Sequence, residues 1–385
     1  MAEVTVLVTN PGAELYGSDR MLVESVRAFA GRGWRVVVTL PAPGPLAAAL
    51  VDAGADEVTV CPTPVLRRAV LSPRGAVGLA RVALRSLRPA TALLRRVRPD
   101  VVYVSTVTTP AWLLLARLAR VPVVAHVHEA ESSVPRLVRT GLSAPLLLAR
   151  RVLVNSQFAL GVVQGSVPSL GRRCEVVYNG VAGPPVVTAA REQLDGQVQL
   201  LYVGRLSARK GVRDVVDAVA VLASRGVDAH LRLVGASFAG NESYDEELRR
   251  AVEGAGLQAR VTFCGFDPDV WPHLARADVA VVPSRLDEPF GNTAVEALLA
   301  ARPLVVTATS GLLEASALAR SAHRVPPGDV EALAGAVHEV VTDWSAQRQL
   351  AADDAVRYAE AFSPAAYRTA VAGAVAACVP PHRRA

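Results

Sequence analysis

Lysine is almost absent from this chain. Among 385 residues and 41 Lys+Arg there is a single lysine, Lys210, so every other basic position is arginine. Arg is a planar fork and Lys a compact point charge on a flexible stem, so a lone Lys marks a place where a fork serves poorly. Cysteine is also scarce. Cys61, Cys174, Cys264 and Cys378 stand apart with no Cys-x-x-Cys or Cys/His spacing. That argues against a structural zinc site or a disulfide framework and fits a reducing compartment. Aromatics make up 5% and no nucleic-acid recognition motif occurs, which speaks against nucleic acid as partner. Long apolar runs are missing too: "PAWLLLARLARVPVVAHV" (110–127) is broken by Arg well before the roughly 18 residues a membrane span needs. The opening "MAEVTVLVTNPGAE" lacks a basic region ahead of an apolar block, so no export signal is expected and a cytoplasmic location fits.

What is present suits a globular α/β protein: 51% hydrophobic and 20% charged residues, in a length that favours two domains. Charge is uneven. Residues 1–180 hold 21 Lys+Arg against 11 Asp+Glu, whereas 181–385 hold 20 against 24, and 58–99 carry nine Arg and no acid. An anionic partner near the first half follows as one reading; a solvated helix face is the other.

Short Val-rich runs alternate with Ala/Leu/Arg stretches of helical length. "VTVLVT" (4–9), "RVVVTL" (35–40), "DVVYVS" (100–105), "PVVAHVH" (122–128) and "RVLVNS" (151–156) read as buried parallel strands. The helix after the first is expected to begin with Ser18 as its N-cap and to present Leu22, Val26 and Phe29 on one face. "NGVAGPPVVTAAREQLDG" (179–196) is rich in Gly and Pro and reads as a linker. The alternation restarts with "VQLLYVG" (198–204), "AHLRLVG" (229–235), "RVTFCG" (260–265), "ADVAVVPS" (277–284) and "PLVVTA" (303–308). Two doubly wound halves facing an interdomain cleft are therefore expected.

"GRLSARKG" (204–211) follows a strand and precedes a helix, so Arg205 and Lys210 fall on a strand-to-helix loop. Two cations beside a helix N-terminus suit a phosphate or diphosphate. "EPFGNTAVE" (288–296) repeats the arrangement with acids. Glu288 lies in the loop and Glu296 about one turn into the next helix, with Gly291 and the first-turn amides of Asn292 and Thr293 between them. Ionised carboxylates accept pairs of hydroxyl hydrogen bonds, as sugar and ribose diols require.

These two stretches, in this order and spacing, resemble the retaining glycosyltransferases of family 4 and their Glu-x₇-Glu motif. "YGSDRMLVESVRAFAGRGWRVVV" is similar to the family's "GGxER…L…GHxV" opening, with Tyr16-Gly17 for Gly-Gly and Asp19 for the Glu. "VVYNGV" is similar to "NGVD", and "FCGFDPDVWPHLARADVAVVPS" to the run before the acidic motif. The resemblance covers nearly the whole chain and implies the GT-B fold: residues 1–180 bind acceptor, 181–196 link, 197–360 bind a nucleotide-sugar, and 361–385 cross back as a helix to the first domain. It implies that Arg205 and Lys210 hold the donor diphosphate, Glu288 the hydroxyls of the transferred sugar, and Glu296 the ribose diol. Gly291, Asn292 and Thr293 would offer amides, Gly265 and Phe266 would line the nucleobase pocket, and Gly17 would approach the diphosphate. Gly204 and Phe290 complete the donor-binding set.

"AHVHEAESS" (125–133) places His126 and His128 on one strand face. By the same resemblance His128 contacts the donor sugar near its reacting carbon; a pair of structural histidines is the plainer reading. His126, His128 and Glu129 have no familiar metal-ligand spacing, so no metal and no cofactor are expected. The expected activity is transfer of a hexosyl group from a nucleoside diphosphate sugar, with retention, to a hydroxyl of a glycan, a lipid-linked glycan or a natural product. A sugar-nucleotide epimerase of the same fold and a noncatalytic nucleotide-sugar-binding protein are the alternatives. The acid-free segment 58–99 adds a further expectation, peripheral docking on the anionic inner face of the cell membrane.

Overall fold

The structure, a computed structural model, describes residues 4–15, 17–66, 73–130, 132–237 and 242–380. The chain forms two compact units, Met1–Gly180 with Pro364–Ala385, and Val181–Ser363. The first is built on strands β1 (Thr5–Thr9), β2 (Arg35–Leu40), β3 (Glu57–Val60), β4 (Val101–Val104), β5 (Val123–Val127), β6 (Arg151–Val154) and β7 (Cys174–Val176). They form one sheet in the order β3-β2-β1-β4-β5-β6-β7, and every pairing is parallel. The second unit holds β8 (Val198–Val203), β9 (Ala229–Val234), β10 (Val261–Gly265), β11 (Val279–Val282), β12 (Leu304–Thr307) and β13 (Ala322–Val325). Its all-parallel order is β10-β9-β8-β11-β12-β13.

Both sheets are covered on two faces, which explains the Val runs. β1, β4, β5 and β11 are buried along their whole lengths. Even-numbered Val6 and Val8 join the core on one face, while Leu7 joins the core on the other. Three strands that the apolar runs do not mark, β3, β7 and β13, all lie at sheet edges. An edge strand buries little, so "EVTV", "CEV" and "AHRV" carry polar residues and show no apolar run.

Two further expectations change. The first helix spans Gly17–Ala30, so Ser18 lies within its first turn rather than capping it. Leu22, Val26 and Phe29 are buried by it, as their spacing requires. Residues 181–196 do not hang free between domains but pack within the second unit. Val181 N donates to Phe362 O at 3.0 Å, and Arg191 pairs with buried Asp278 at 2.6 Å. The helix Pro364–Ala376 packs in the first unit, where Tyr367, Val371 and Val375 join the core that contains Phe29. No helix among the described residues is long and apolar enough to cross a membrane.

Arg302 is the staple of the 181–196 strap. It is fully buried, and its guanidinium donates to the carbonyls of Leu274 at 2.7 Å, Thr188 at 2.9 Å and Ala275 at 3.0 Å. Burial lowers its pKa, and the planar fork offsets that cost by serving several carbonyls at once. Arg302→Leu strips those acceptors of a partner and is expected to lower unfolding free energy by about 2–4 kcal/mol in a denaturant titration. A change within about 0.5 kcal/mol, the range of ordinary surface substitutions, would contradict this role.

Candidate active site

In the second unit the chain winds outward from β8 in both directions: β9 and β10 on one side, β11 to β13 on the other. After neighbouring β8 and β11 the chain therefore goes on to opposite sides of the sheet order, and such switch points are where open parallel sheets hold ligands. The loops that follow these two strands carry Arg205 with Lys210, and Glu288.

The loops are laced together. Gly211 takes φ 66°, and a Cβ there would sit 1.9 Å from the carbonyl oxygen of Pro283, so only glycine lets the first loop run against the second. Arg285 N donates to Arg209 O at 2.9 Å, and Arg209 Nη2 donates to Asp287 O at 2.8 Å. Arg285 in turn grips buried Asp214 in the helix Val212–Ser224, with Nε to Oδ2 at 2.7 Å.

Lys210 and Glu288 meet at the centre of this lacing. Lys210 Nζ lies 2.7 Å from Glu288 Oε1, and Ser284 Oγ donates to the same oxygen at 2.9 Å. Glu288 is 8% exposed. Its main chain is also clamped: its N–H donates to Ser310 Oγ at 2.9 Å, and its carbonyl accepts from Gly311 N at 2.9 Å. Lys210 itself is partly buried rather than the open loop residue its charge alone suggests. Sequence reasoning misses Ser284, Arg209 and Ser310 as supports, because loop serines and one arginine among 40 carry no distinguishing pattern.

The other residues of this unit that the sequence singles out cluster on the same side or serve the core. Arg205 is exposed on the first loop, two residues beyond β8. Glu296 is buried in the helix Asn292–Leu299, which Gly291 opens at φ 115°. A Cβ on Gly291 would lie 2.4 Å from Leu312 Cδ2 and displace that side chain, and the positive φ is the stronger demand for glycine there. Thr293 and Asn292 are half-buried in the first turn. Gly265 ends β10, Phe266 beside it is exposed, and Gly204 follows β8 with φ 151°. Phe290 is different: its ring lies in the core, 5.5 Å from that of Phe362.

Gly17 and His128 belong to the first unit. Gly17 begins the helix Gly17–Ala30 and is exposed. His128 follows β5 and is buried, with no hydrogen-bond partner on either ring nitrogen among the described residues. Burial pushes its pKa down to about 4, so the ring is neutral near pH 7. Neighbouring Glu129 is raised by burial, and the Thr106 hydroxyl and the amides of Val107 and His128 hold it with hydrogen bonds that partly offset this. A neutral imidazole with both nitrogens open can accept from one hydroxyl and donate to another.

Removing the ammonium tests the buried pair. Lys210→Met leaves Glu288 with its charge and without its cation, and is expected to cost about 1–3 kcal/mol of unfolding free energy. Adding Glu288→Gln should recover most of that loss in denaturant unfolding. Equal losses in the single and double variants would show that the two side chains are not coupled.

Comparison with known proteins agrees with this layout. Residues 16–182 match the Glycosyltransferase Family 4 model, and residues 188–355 match that of Glycosyl transferases group 1. The chain is similar to the 2-deoxystreptamine N-acetyl-D-glucosaminyltransferase of Streptomyces fradiae, 32% identical over 369 residues, covering 87% of this chain and 85% of that protein. It is also similar to the 2-deoxystreptamine glucosyltransferase of Streptomyces kanamyceticus, at 30% identity over 74% of this chain and 79% of that protein. Among solved structures, Anabaena HepE in complex with UDP and glucose shares the fold with a TM-score of 0.79 and 21% identity, covering 97% of this chain and 99% of that one. Two parallel-sheet units, two matched halves and relatives aligned along most of their length lead to one assignment: the chain belongs to the GT-B glycosyltransferases that join a family 4 half to a group 1 half.

Proposed function

We propose that the chain transfers a hexosyl group from a nucleoside diphosphate sugar to a hydroxyl of an aminocyclitol-type natural product, with retention at the anomeric carbon. The observation that carries the donor reading is the Lys210–Glu288 pair at the β8/β11 switch point, a cation and a carboxylate locked 2.7 Å apart. Departure of a nucleoside diphosphate builds negative charge, and a cation already in place is the strongest means of stabilising it. Lys210 with Arg205 receives the diphosphate, so no metal is required. Glu288 takes the sugar hydroxyls, Glu296 the ribose diol, and Gly291, Asn292 and Thr293 the remaining oxygens through their amides. Gly265 and exposed Phe266 border the base. His128 offers its open nitrogens to hydroxyls. The UDP and glucose bound by the Anabaena protein support this donor class, and the two Streptomyces relatives, by their names, support an aminocyclitol acceptor.

Retention through a covalent intermediate needs two carboxyl groups roughly 5 Å apart, one of them as nucleophile. Glu288 has Oε1 engaged by Lys210 and Ser284 and is assigned above to the sugar hydroxyls, so departure and attack on one sugar face, with the leaving phosphate taking the acceptor proton, is the preferred course. A thermal-shift panel of UDP, GDP and dTDP identifies the base first, since a ligand at 100 times its dissociation constant stabilises by about 2.7 kcal/mol. Incubation of the matching α-linked donors with 2-deoxystreptamine should then yield an α-linked product by proton coupling constants. A β-linked product would overturn the retaining course.

One feature of the first unit favours a lipid-linked acceptor as second reading. The helix Pro73–Val97 exposes Val82, Leu84 and Leu87 between exposed Arg81, Arg85 and Arg88, while Leu93, Leu94 and Val97 pack inward. Arg67, Arg68, Val70 and Leu71 of the same basic stretch lie outside the described residues. Each Arg near an anionic leaflet contributes about 1 kcal/mol, and the apolar residues between them add shallow insertion. On this reading the wild type sediments with phosphatidylglycerol vesicles at low salt, and the Arg81→Glu/Arg85→Glu/Arg88→Glu variant does not. Wild type remaining in the supernatant at the lowest salt would remove the membrane from the account.

A further inference from the structure

A chain of polar side chains runs through the first unit, from the carboxyl-terminal helix to His128. Tyr367 Oη lies 2.8 Å from Ser25 Oγ, Ser25 Oγ 3.1 Å from Tyr103 Oη, and Tyr103 Oη 2.5 Å from His126 Nδ1. The His126 ring then lies against the His128 ring, centroids 4.1 Å apart. All five residues are buried. Of this file, the sequence shows only the shared strand face of the two histidines, because Ser25, Tyr103 and Tyr367 sit on three separate elements.

Counting protons leaves two directions, and the far nitrogen of His126 selects one. Ser25 has one hydroxyl hydrogen, and its Oγ lies 2.9 Å from the Met21 carbonyl, an acceptor with nothing to donate. If Ser25 gives that hydrogen to the carbonyl, its Oγ accepts from Tyr103, and Tyr103 Oη accepts from His126. The reverse order, with Tyr367 on the carbonyl, would send the Tyr103 hydrogen to Nδ1, and the surroundings of Nε2 decide between the two. The first order puts the proton of the neutral imidazole on Nδ1. His126 Nε2 has no partner among the described residues, which this tautomer tolerates. The opposite tautomer would bury an N–H without an acceptor, a rarer and costlier defect than an unused lone pair. Burial, with His128 close by, keeps His126 uncharged.

We propose that Tyr103, oriented by Ser25 and Tyr367, is a positioning residue that fixes His126 as its Nδ1–H tautomer and thereby sets the ring on which His128 stacks. The histidines have different duties: His126 belongs to the scaffold, and His128 faces the ligand with both nitrogens open. Tyr367 makes the carboxyl-terminal helix part of the same support, since its hydroxyl also reaches the Met21 carbonyl at 3.1 Å. This inference rests on the role proposed above for His128, so its test is chosen to separate the two.

Long-range nitrogen–proton correlation spectra of histidine-labelled protein read each tautomer directly, without substrate or turnover. His126 should show a protonated Nδ1 and an unprotonated Nε2 in the wild type and lose that state in Tyr103→Phe. Turnover of Tyr103→Phe should fall about 10- to 100-fold through kcat, with the donor KM little changed, because a misplaced group slows chemistry more than binding. Ser25→Ala should shift both readouts in the same direction, and it carries the test if Tyr103→Phe does not fold. A protonated Nε2 on wild-type His126, or an unchanged tautomer and kcat in both variants, would overturn the proposal. Normal turnover in His128→Ala with the wild-type His126 tautomer intact would instead refute the role of His128 and leave the network standing.

Discussion

A lysine and a glutamate held 2.7 Å apart at the switch point of the second sheet are the constraint around which that unit is arranged. A partly buried ion pair is a poor source of stability, because desolvating both partners offsets most of their attraction. Its value is position. Glu288 is fixed by the Ser284 hydroxyl, by Ser310 and by Gly311, so the ammonium it holds is fixed as well. A point charge prepared in this way needs no reorganisation when negative charge develops beside it. The preference for Lys at this one place also becomes intelligible. Glu288 Oε1 already accepts from Ser284, and a compact ammonium can share that oxygen while keeping its other donors for a phosphate.

The surrounding features follow from keeping the pair in place. Gly211 allows the two loops to run in contact, Arg209 and Arg285 cross-link them, and Asp214 anchors the cross-link to a helix. In the same unit Arg302 fastens the 181–196 strap through hydrogen bonds to carbonyls, alongside the apolar core that holds Val181, Phe290 and Leu312. The first unit solves a similar problem differently. There a file of hydroxyls and one neutral imidazole supports a second imidazole, and burial keeps both rings uncharged.

Much of this is legible in the residues. Central strands such as β1, β4 and β11 are buried on both faces and must be apolar throughout, so they stand out as Val runs. Edge strands are under no such demand, and β3, β7 and β13 escape notice for that reason. Arg205, Lys210, Glu288 and Glu296 are recognisable because a lone lysine and a spaced pair of acids fall between a strand and the first turns of a helix, in a pattern that resembles the family's. The burial of the Phe290 ring against Phe362 is not legible from its place in "EPFGN". The supports are hidden for a physical reason. Ser284, Ser310, Ser25 and Tyr367 act through contacts between elements far apart in the chain, and a hydroxyl leaves no periodic trace in sequence.

The donor site proposed for the second unit requires Lys210 to be poised for the outer phosphate of a diphosphate. Calorimetric titration of wild type and Lys210→Met with a nucleoside monophosphate and the matching nucleoside diphosphate tests this most directly. The wild type should prefer the diphosphate by about tenfold or more, the size of one charge-assisted contact. Lys210→Met should lose that preference while binding the monophosphate almost as before. A variant that still prefers the diphosphate by the wild-type margin would contradict the claim.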